Sequence, residues 1–138
     1  MYLKSARVRV DGELTDVVAI LRGVREGCVL SPLVFNIYSE EIFKQALEDQ
    51  EEGIVLNGVS VNNIRYADDT LLISNTLKGL QQLLNRTTVV SEEYGLKLNV
   101  AKIKDMVIRK NTIPNVDRLY INNSPLETVP QIKYLGVL

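Results

Sequence analysis

Tyr66-Ala67-Asp68-Asp69 sets two adjacent carboxylates between two short apolar, β-prone runs. The run before them is Val59-Ser60-Val61-Asn62-Asn63-Ile64-Arg65, and the run after them is Thr70-Leu71-Leu72-Ile73-Ser74. On a flat strand, neighbouring side chains point to opposite faces. A turn between the runs instead gathers both carboxylates at one exposed tip, and Asp accepts turn geometry readily. Two carboxylates about 4 Å apart repel by roughly 1 kcal/mol in water and by more in a drier site. A hard divalent cation such as Mg²⁺ reverses that sign by taking oxygen ligands from both. Taken alone, the four residues fit an ordinary acidic turn as well as a tip that holds a metal against phosphates.

Composition narrows the chemistry. The 138 residues contain no histidine, which excludes His-based acid–base catalysis, Ser-His-Asp triads and His-ligated zinc. Cys28 is the only cysteine, so neither an internal disulfide nor a Cys-ligated zinc site can form. Flanked by Gly27 and Val29, it reads as a buried structural thiol. Carboxylates, lysines, hydroxyls, backbone and metal remain, which is the toolkit of phosphoryl and nucleotidyl transfer. Hydrophobic content of 46% suffices for a core. No run approaches a membrane span, and Met1-Tyr2-Leu3-Lys4 opens no secretory signal, so an intracellular protein is expected, in nucleus or cytoplasm. With a net charge of −1, any nucleic-acid contact must use a local basic patch or other segments.

The elements that would position the carboxylates can be read in order. Ala6 to Val10 alternates in the strand period, Asp11-Gly12 is a hairpin turn, and Val17 to Leu21 is the expected return strand. Ser31 as N-cap and Pro32 at the first helical position start a helix predicted to run to about Glu48. Its broad apolar face comprises Leu33, Val34, Ile37, Tyr38, Ile42, Phe43, Ala46 and Leu47. Asp49 to Glu52 reads as a solvated acidic exit. Asn57-Gly58 turns a second hairpin, the Tyr66–Asp69 hairpin follows, and Leu77 to Tyr94 is a second helix stopped by Gly95. Lys104–Arg109, Arg118–Ile121 and Ile132–Leu135 are candidate short strands, with Asn122-Asn123-Ser124-Pro125 as a turn between two of them. Helices covering one face of a mostly antiparallel sheet is the α+β outcome.

Read together, the motifs resemble those of reverse transcriptases, in the style encoded by non-long-terminal-repeat retrotransposons, with group II intron enzymes as near neighbours. Gly23-Val24-Arg25-Glu26-Gly27-Cys28-Val29-Leu30-Ser31-Pro32-Leu33-Val34-Phe35-Asn36 looks like the family's template- and nucleotide-contacting motif. Tyr66-Ala67-Asp68-Asp69 looks like its catalytic hairpin. Tyr94-Gly95-Leu96-Lys97-Leu98-Asn99, with Lys102, is similar to the next motif, and Lys133-Tyr134-Leu135-Gly136 resembles the motif that grips the primer. The resemblance covers almost the whole chain.

It implies a partial polymerase palm: an incomplete antiparallel sheet with two helices on one face, over residues 1–138. The complete enzyme adds deoxynucleotides to a DNA primer on an RNA template, using two Mg²⁺ ions. Asp68 is the main metal ligand so implied and Asp69 the second. Lys102 protonates the leaving pyrophosphate, Gly27, Leu30, Ser31 and Pro32 line the nucleotide or template side, and Tyr134, Leu135 and Gly136 contact the primer. A helix start beside Gly27 also favours anions.

Two departures stand out. Glu26 replaces the family's usual Gln, and a carboxylate cannot donate hydrogen bonds as an amide does. The family also carries a catalytic Asp on an upstream strand, and neither Asp11 nor Asp16 lies in its sequence context. That strand, most of the fingers and the thumb are therefore expected to be missing. The fragment is expected to be inactive alone, with weak or no metal binding and with self-association through an open sheet edge. A non-catalytic relic of a decayed element and an RNA-templated RNA polymerase are the alternatives.

Overall fold

The structure, a computed structural model, describes residues 5–20, 23–24, 27–108 and 118–136. Met1 to Lys4, Leu21, Arg25, Glu26 and Arg109, named above, lie outside them. The chain divides into two units, Met1–Tyr38 and Ser39–Leu138.

In the first unit the Asp11-Gly12 turn forms as its residues dictate, with φ of +51° and +90°. The strands flanking it are broken. β1 (Ser5–Ala6) pairs with β4 (Val18–Ala19), and β2 (Arg9–Val10) pairs with β3 (Glu13–Leu14). The return strand thus begins directly after the turn, and among the described residues of the apolar run Val18–Ala19 join the ladder. Thr15 interrupts it: its amide donates to the Val8 carbonyl and its Oγ1 accepts from the Val8 amide.

Helix α1 spans Ser31–Leu47. Its first intrahelical bond runs from the Val34 amide to the Leu30 carbonyl, so the cap lies at Leu30, one residue earlier than expected. Pro32 still falls in the first turn, where its missing N–H is one of the groups left without an intrahelical partner. The expected apolar face is buried only toward the C-terminal end: Ile42, Ala46 and Leu47 are buried, whereas Leu33 and Ile37 are exposed.

The second unit contains two hairpins and helix α2. β5 (Ile54–Leu56) pairs with β6 (Val59–Val61) across Asn57-Gly58, whose φ values of +50° and +81° match the expected turn. β7 (Asn63–Tyr66) pairs with β8 (Asp69–Leu72). α2 spans Leu77–Glu93, with Thr76 as N-cap accepting from the Gly79 amide. Its end is a Schellman motif: the Gly95 amide donates to the Glu92 carbonyl and the Leu96 amide to the Ser91 carbonyl. That closure needs a left-handed residue, supplied by Gly95 at φ +74°. Farther on, β9 (Lys104–Asp105) pairs in parallel with β12 (Glu127–Thr128), and β10 (Tyr120–Ile121) pairs with β11 (Ser124–Pro125). The Asn122-Asn123 turn therefore closes a tight hairpin in which Ser124-Pro125 is strand, not loop. Residues 132–135 form no strand beyond an isolated bridge at Tyr134, after which Leu135 and Gly136 take left-handed φ, +49° and +85°.

The fold is α+β. Its sheet is incomplete in a specific way: among the described residues the strands form two-stranded ladders, not one continuous sheet. Two apolar clusters hold the second unit together. Ile42, Ala46 and Leu47 of α1 meet Leu83 and Val90 of α2, while Leu84 of α2 meets Leu119, Ile121 and Leu126. Fully burying a side chain such as Ile42 or Leu83 contributes about 1.5–3 kcal/mol. Leu72 of β8 packs on both clusters. The buried Thr87 and Thr88 hydroxyls donate to the Leu83 and Leu84 carbonyls, so their burial leaves no donor unpaired. Gln81 fixes β10 on α2 by accepting from the Tyr120 amide and donating to its carbonyl, both at 2.8 Å.

Candidate catalytic hairpin

The β7–β8 register opposes Asn63 to Leu72, Ile64 to Leu71, Arg65 to Thr70 and Tyr66 to Asp69. Directly opposed residues share a face. Arg65, Thr70, Asn63 and Leu72 lie on one face, all partly buried. Tyr66, Asp69 and Ile64 lie on the other face and are exposed. A slip of one residue would exchange the two sets.

Ala67 and Asp68 form the two-residue turn. Ala67 has φ +52°, a left-handed conformation that costs a residue with a Cβ roughly 1–2 kcal/mol. The turn leaves Asp68 exposed at the tip and starts β8 at Asp69, also exposed. The two carboxylates are thus presented together, as the sequence suggested, one from the turn and one from the exposed face of the ladder.

Several contacts anchor the hairpin and the segments beside it. The Ile73 amide donates to the Asn62 carbonyl at 2.8 Å. Asn62 Nδ2 donates to the Leu47 carbonyl at the end of α1, at 3.2 Å. Arg65 reaches Glu40 of α1 at 2.9 Å and lies 4.9 Å over the Phe43 ring. Glu52, expected in a solvated run, is half-buried, and its Oε2 accepts from Ser74 Oγ at 3.3 Å beside the start of α2. Asn75 Nδ2 donates to the Gly53 carbonyl at 2.9 Å. At Gly53 a Cβ would sit 2.7 Å from the Val61 carbonyl oxygen, so only glycine fits that crossing.

The other motif residues fall in separate places. Tyr134 meets the hairpin: its hydroxyl donates to the Ile64 carbonyl at 3.5 Å, a long bond, and the chain then turns sharply through Leu135-Gly136. Lys102 lies on the exposed 99–103 turn, its amide donating to the Asn99 carbonyl. Among the described residues no salt bridge joins it to Asp68 or Asp69. Lys104 pairs with Glu127 at 2.6 Å. Gly27 takes φ +74° in the loop ahead of α1, Leu30 caps that helix, and Ser31 and Pro32 form its first turn. Cys28 is exposed, not buried as its neighbours suggested. A cleft of about 450 Å³ lined by Gln45, Asn85, Arg86, Val89, Val90 and Glu93 includes no hairpin residue.

Among the described residues no group of three or more His, Cys, Asp and Glu side chains is arranged to hold a metal. The donor set at the tip nevertheless suits a hard cation, because Mg²⁺ is commonly held by one or two carboxylates with waters and substrate phosphates as its other ligands.

Sequence reading missed Arg65, Asn62 and Glu52 as supports. Strand alternation was the available signal for Arg65: it stands two residues from Asn63 and one from Tyr66, on the face opposite the tyrosine.

With the motifs in place on the fold, the class is defined. The chain belongs to the reverse transcriptase (RNA-dependent DNA polymerase) family, whose family model matches residues 1–138. It is 30% identical over 135 residues to the Retrovirus-related Pol polyprotein from type-2 retrotransposable element R2DM of Drosophila melanogaster, covering 92% of this chain and 13% of that protein. It is 27% identical to the Retrovirus-related Pol polyprotein from type-1 retrotransposable element R2 of Popillia japonica, covering 93% of this chain and 22% of that protein. It is also 27% identical to the RNA-directed DNA polymerase from mobile element jockey of Drosophila funebris, covering 95% and 14%. The chain thus spans between about an eighth and a quarter of the length of these relatives.

Proposed function

We propose that this chain is the palm segment of an RNA-directed DNA polymerase of a non-long-terminal-repeat element, and that its hairpin supplies two carboxylates to a two-metal site. The observation that carries the reading is the joint exposure of Asp68 and Asp69 at the β7–β8 tip in a chain of this family. Asp68, unconstrained by the ladder, is the main ligand and Asp69 the second. When bound, a pair of Mg²⁺ ions would stabilise charge on the attacking and leaving oxygens. The chain's own residues bind and orient. Gly27, Leu30, Ser31 and Pro32 line the nucleotide or template side, Tyr134, Leu135 and Gly136 contact the primer, and Lys102 delivers a proton to the leaving pyrophosphate. RNA template, DNA primer and deoxynucleotides are the partners.

We further propose that the 138 residues do not polymerise by themselves. Two carboxylates leave a two-metal site short of ligands, and no third acidic side chain joins them among the described residues. Purified chain, given a primed RNA template, deoxynucleotides and Mg²⁺, is expected to give no template-dependent extension. The same residues, transplanted into the jockey polymerase in place of their match, are expected to support it. There Asp68→Ala abolishes extension, and Lys102→Ala slows it by about 10²–10⁴-fold, the usual worth of proton transfer by a positioned side chain. Full activity of Asp68→Ala in that context removes the metal assignment. A transplant that folds and never extends favours a non-catalytic relic.

A further inference from the structure

Arg65 stands three residues before Asp68, on the face of the hairpin opposite Asp69. Its guanidinium pairs with Glu40 Oε2 at 2.9 Å and lies over the Phe43 ring at 4.9 Å, and its side chain is only 27% exposed. An exposed ion pair alone contributes little, and Glu40 is 65% exposed. The stacking on Phe43 changes the balance. Phe43 packs against the cluster formed by Ile42, Ala46, Leu47, Leu83 and Val90, so the guanidinium rests on a fixed surface. The planar, forked guanidinium suits simultaneous stacking and pairing in a way an ammonium does not. At the other end of the ladder, Leu72 supplies the apolar anchor on the same face. Between Leu72 and the tip, Arg65 is the charged side chain on that face that reaches a helix.

We infer that Arg65 is a positioning residue for the carboxylate tip: its clamp on Glu40 and Phe43 fixes the direction in which the Ala67-Asp68 turn presents Asp68 and Asp69. The inference rests on the metal-holding reading for its consequence, but not for its geometry. A two-stranded hairpin with one anchored face pivots about its base, and the contact nearest the tip sets the amplitude of that pivot. Arg65 is that contact, one residue from the end of the ladder. Losing it leaves the ladder bonds intact and widens the range of directions in which the carboxylates point.

Two measurements on the full chain test this. The first is Mn²⁺ affinity, followed by electron paramagnetic resonance, in wild type, Arg65→Ala, Arg65→Lys, Glu40→Gln and Asp68→Asn. Arg65→Ala is expected to weaken binding about tenfold, the combined worth of a partly buried ion pair and a stacked cation. Arg65→Lys recovers part of it, and Asp68→Asn removes it. The second needs no metal: the distance distribution between spin labels at Tyr66→Cys and Gln82→Cys, with Cys28→Ser in the background. It is expected to broaden in Arg65→Ala while hydrogen exchange across α2 stays as in wild type. An unchanged distribution in Arg65→Ala overturns the inference. So does wild-type Mn²⁺ affinity in Arg65→Ala when Asp68→Asn abolishes binding. Mn²⁺ binding that Asp68→Asn leaves intact overturns the metal-holding reading instead; there, and where the 138 residues alone bind no Mn²⁺, the label distances decide the role of Arg65.

Discussion

Tyr66 and Asp69 are the last opposed pair of the β7–β8 ladder, and both side chains stand on its exposed face. Only two residues separate them, and the turn those residues make carries a second exposed carboxylate, Asp68. The pairing therefore fixes where Asp69 points, while Asp68 is placed by the turn alone.

Divalent-cation binding follows from that difference. Asp68→Asn and Asp69→Asn are each expected to lower Mn²⁺ affinity, Asp68→Asn more, because a neutral amide offers a weaker ligand to a hard ion. Neither change removes a packing contact, so thermal stability without metal is expected to hold or to rise slightly as like charges separate. Equal affinity in both variants and in wild type, measured in one titration series, speaks against the tip as a metal site.

Ala67 at φ +52° pays a steric cost that glycine does not. Glycine loses more chain entropy on folding, roughly 0.4–1 kcal/mol, which offsets part of the gain. The steric term is the larger, so Ala67→Gly is expected to stabilise the chain by about 0.5–1 kcal/mol in urea unfolding. A less stable variant would mean the turn relaxes in solution to a conformation alanine accepts.

The local devices of this fold were legible in the sequence, and the long-range ones were not. Asp11-Gly12, Asn57-Gly58 and Gly95 announce their turns and stop because a left-handed backbone restricts residue choice at one position. Asp68 and Asp69 were legible as a tip for the same reason, since the β-prone runs beside them demand a reversal. Arg65 and Glu52 were not. A charged residue on a strand or in an acidic run reads as solvated until its partner is known, and the partners Glu40 and Ser74 are 25 and 22 residues away. Ser124-Pro125 was misread because proline discourages strand assignment, although an edge strand tolerates its missing N–H. The exposure of Leu33 and Ile37 shows the limit of periodicity: it marks a face able to be buried, and what covers it is decided elsewhere.

Leu72 and Ile64 test the assignment of faces. Leu72 packs on both apolar clusters, whereas Ile64 is 46% exposed on the opposite face. Leu72→Ala is expected to cost about 1–3 kcal/mol, below the roughly 2–5 kcal/mol of a fully buried leucine because Leu72 is only partly buried. Ile64→Ala is expected to stay within about 0.5 kcal/mol. Reversed magnitudes in chemical denaturation would indicate a one-residue slip of the ladder.

Gly79 and Glu52 are expected to be coupled. A Cβ at Gly79 would meet the Glu52 carboxylate and lie 2.6 Å from Ser74 Oγ, so Gly79→Ala drives Glu52 out of its place at the start of α2. The losses are its bond to Ser74 and a favourable charge near the helix N-terminus, about 1–2 kcal/mol together. Alanine's helix propensity returns about 1 kcal/mol. Gly79→Ala alone should therefore change stability by less than about 1 kcal/mol, yet stabilise when Glu52 is already alanine, by less than the full propensity gain of about 1 kcal/mol because Ser74 Oγ must still shift. Additive effects in the double-mutant cycle would place Glu52 away from the helix in solution.

Self-association is the last expectation. In the described residues β7 and β8 form a sheet of only two strands, with exposed apolar groups at Ile64 and Tyr66. The neighbouring β5–β6 hairpin exposes Val55, Leu56 and Val59. Unpaired edge groups beside apolar side chains favour strand addition from another chain, and a lysine at the edge opposes it. The outward-pointing backbone groups of β7 belong to Asn63 and Arg65, because the Asn62–Ile73 bond and the register make Ile64–Leu71 and Tyr66–Asp69 the internally hydrogen-bonded pairs. The apparent mass by light scattering is thus expected to rise with concentration. Ile64→Lys, which leaves the packed face untouched, is expected to shift the chain toward monomer at every concentration. A wild-type chain that stays monomeric throughout, with amides 64–73 strongly protected from exchange, would mean that this edge is already covered.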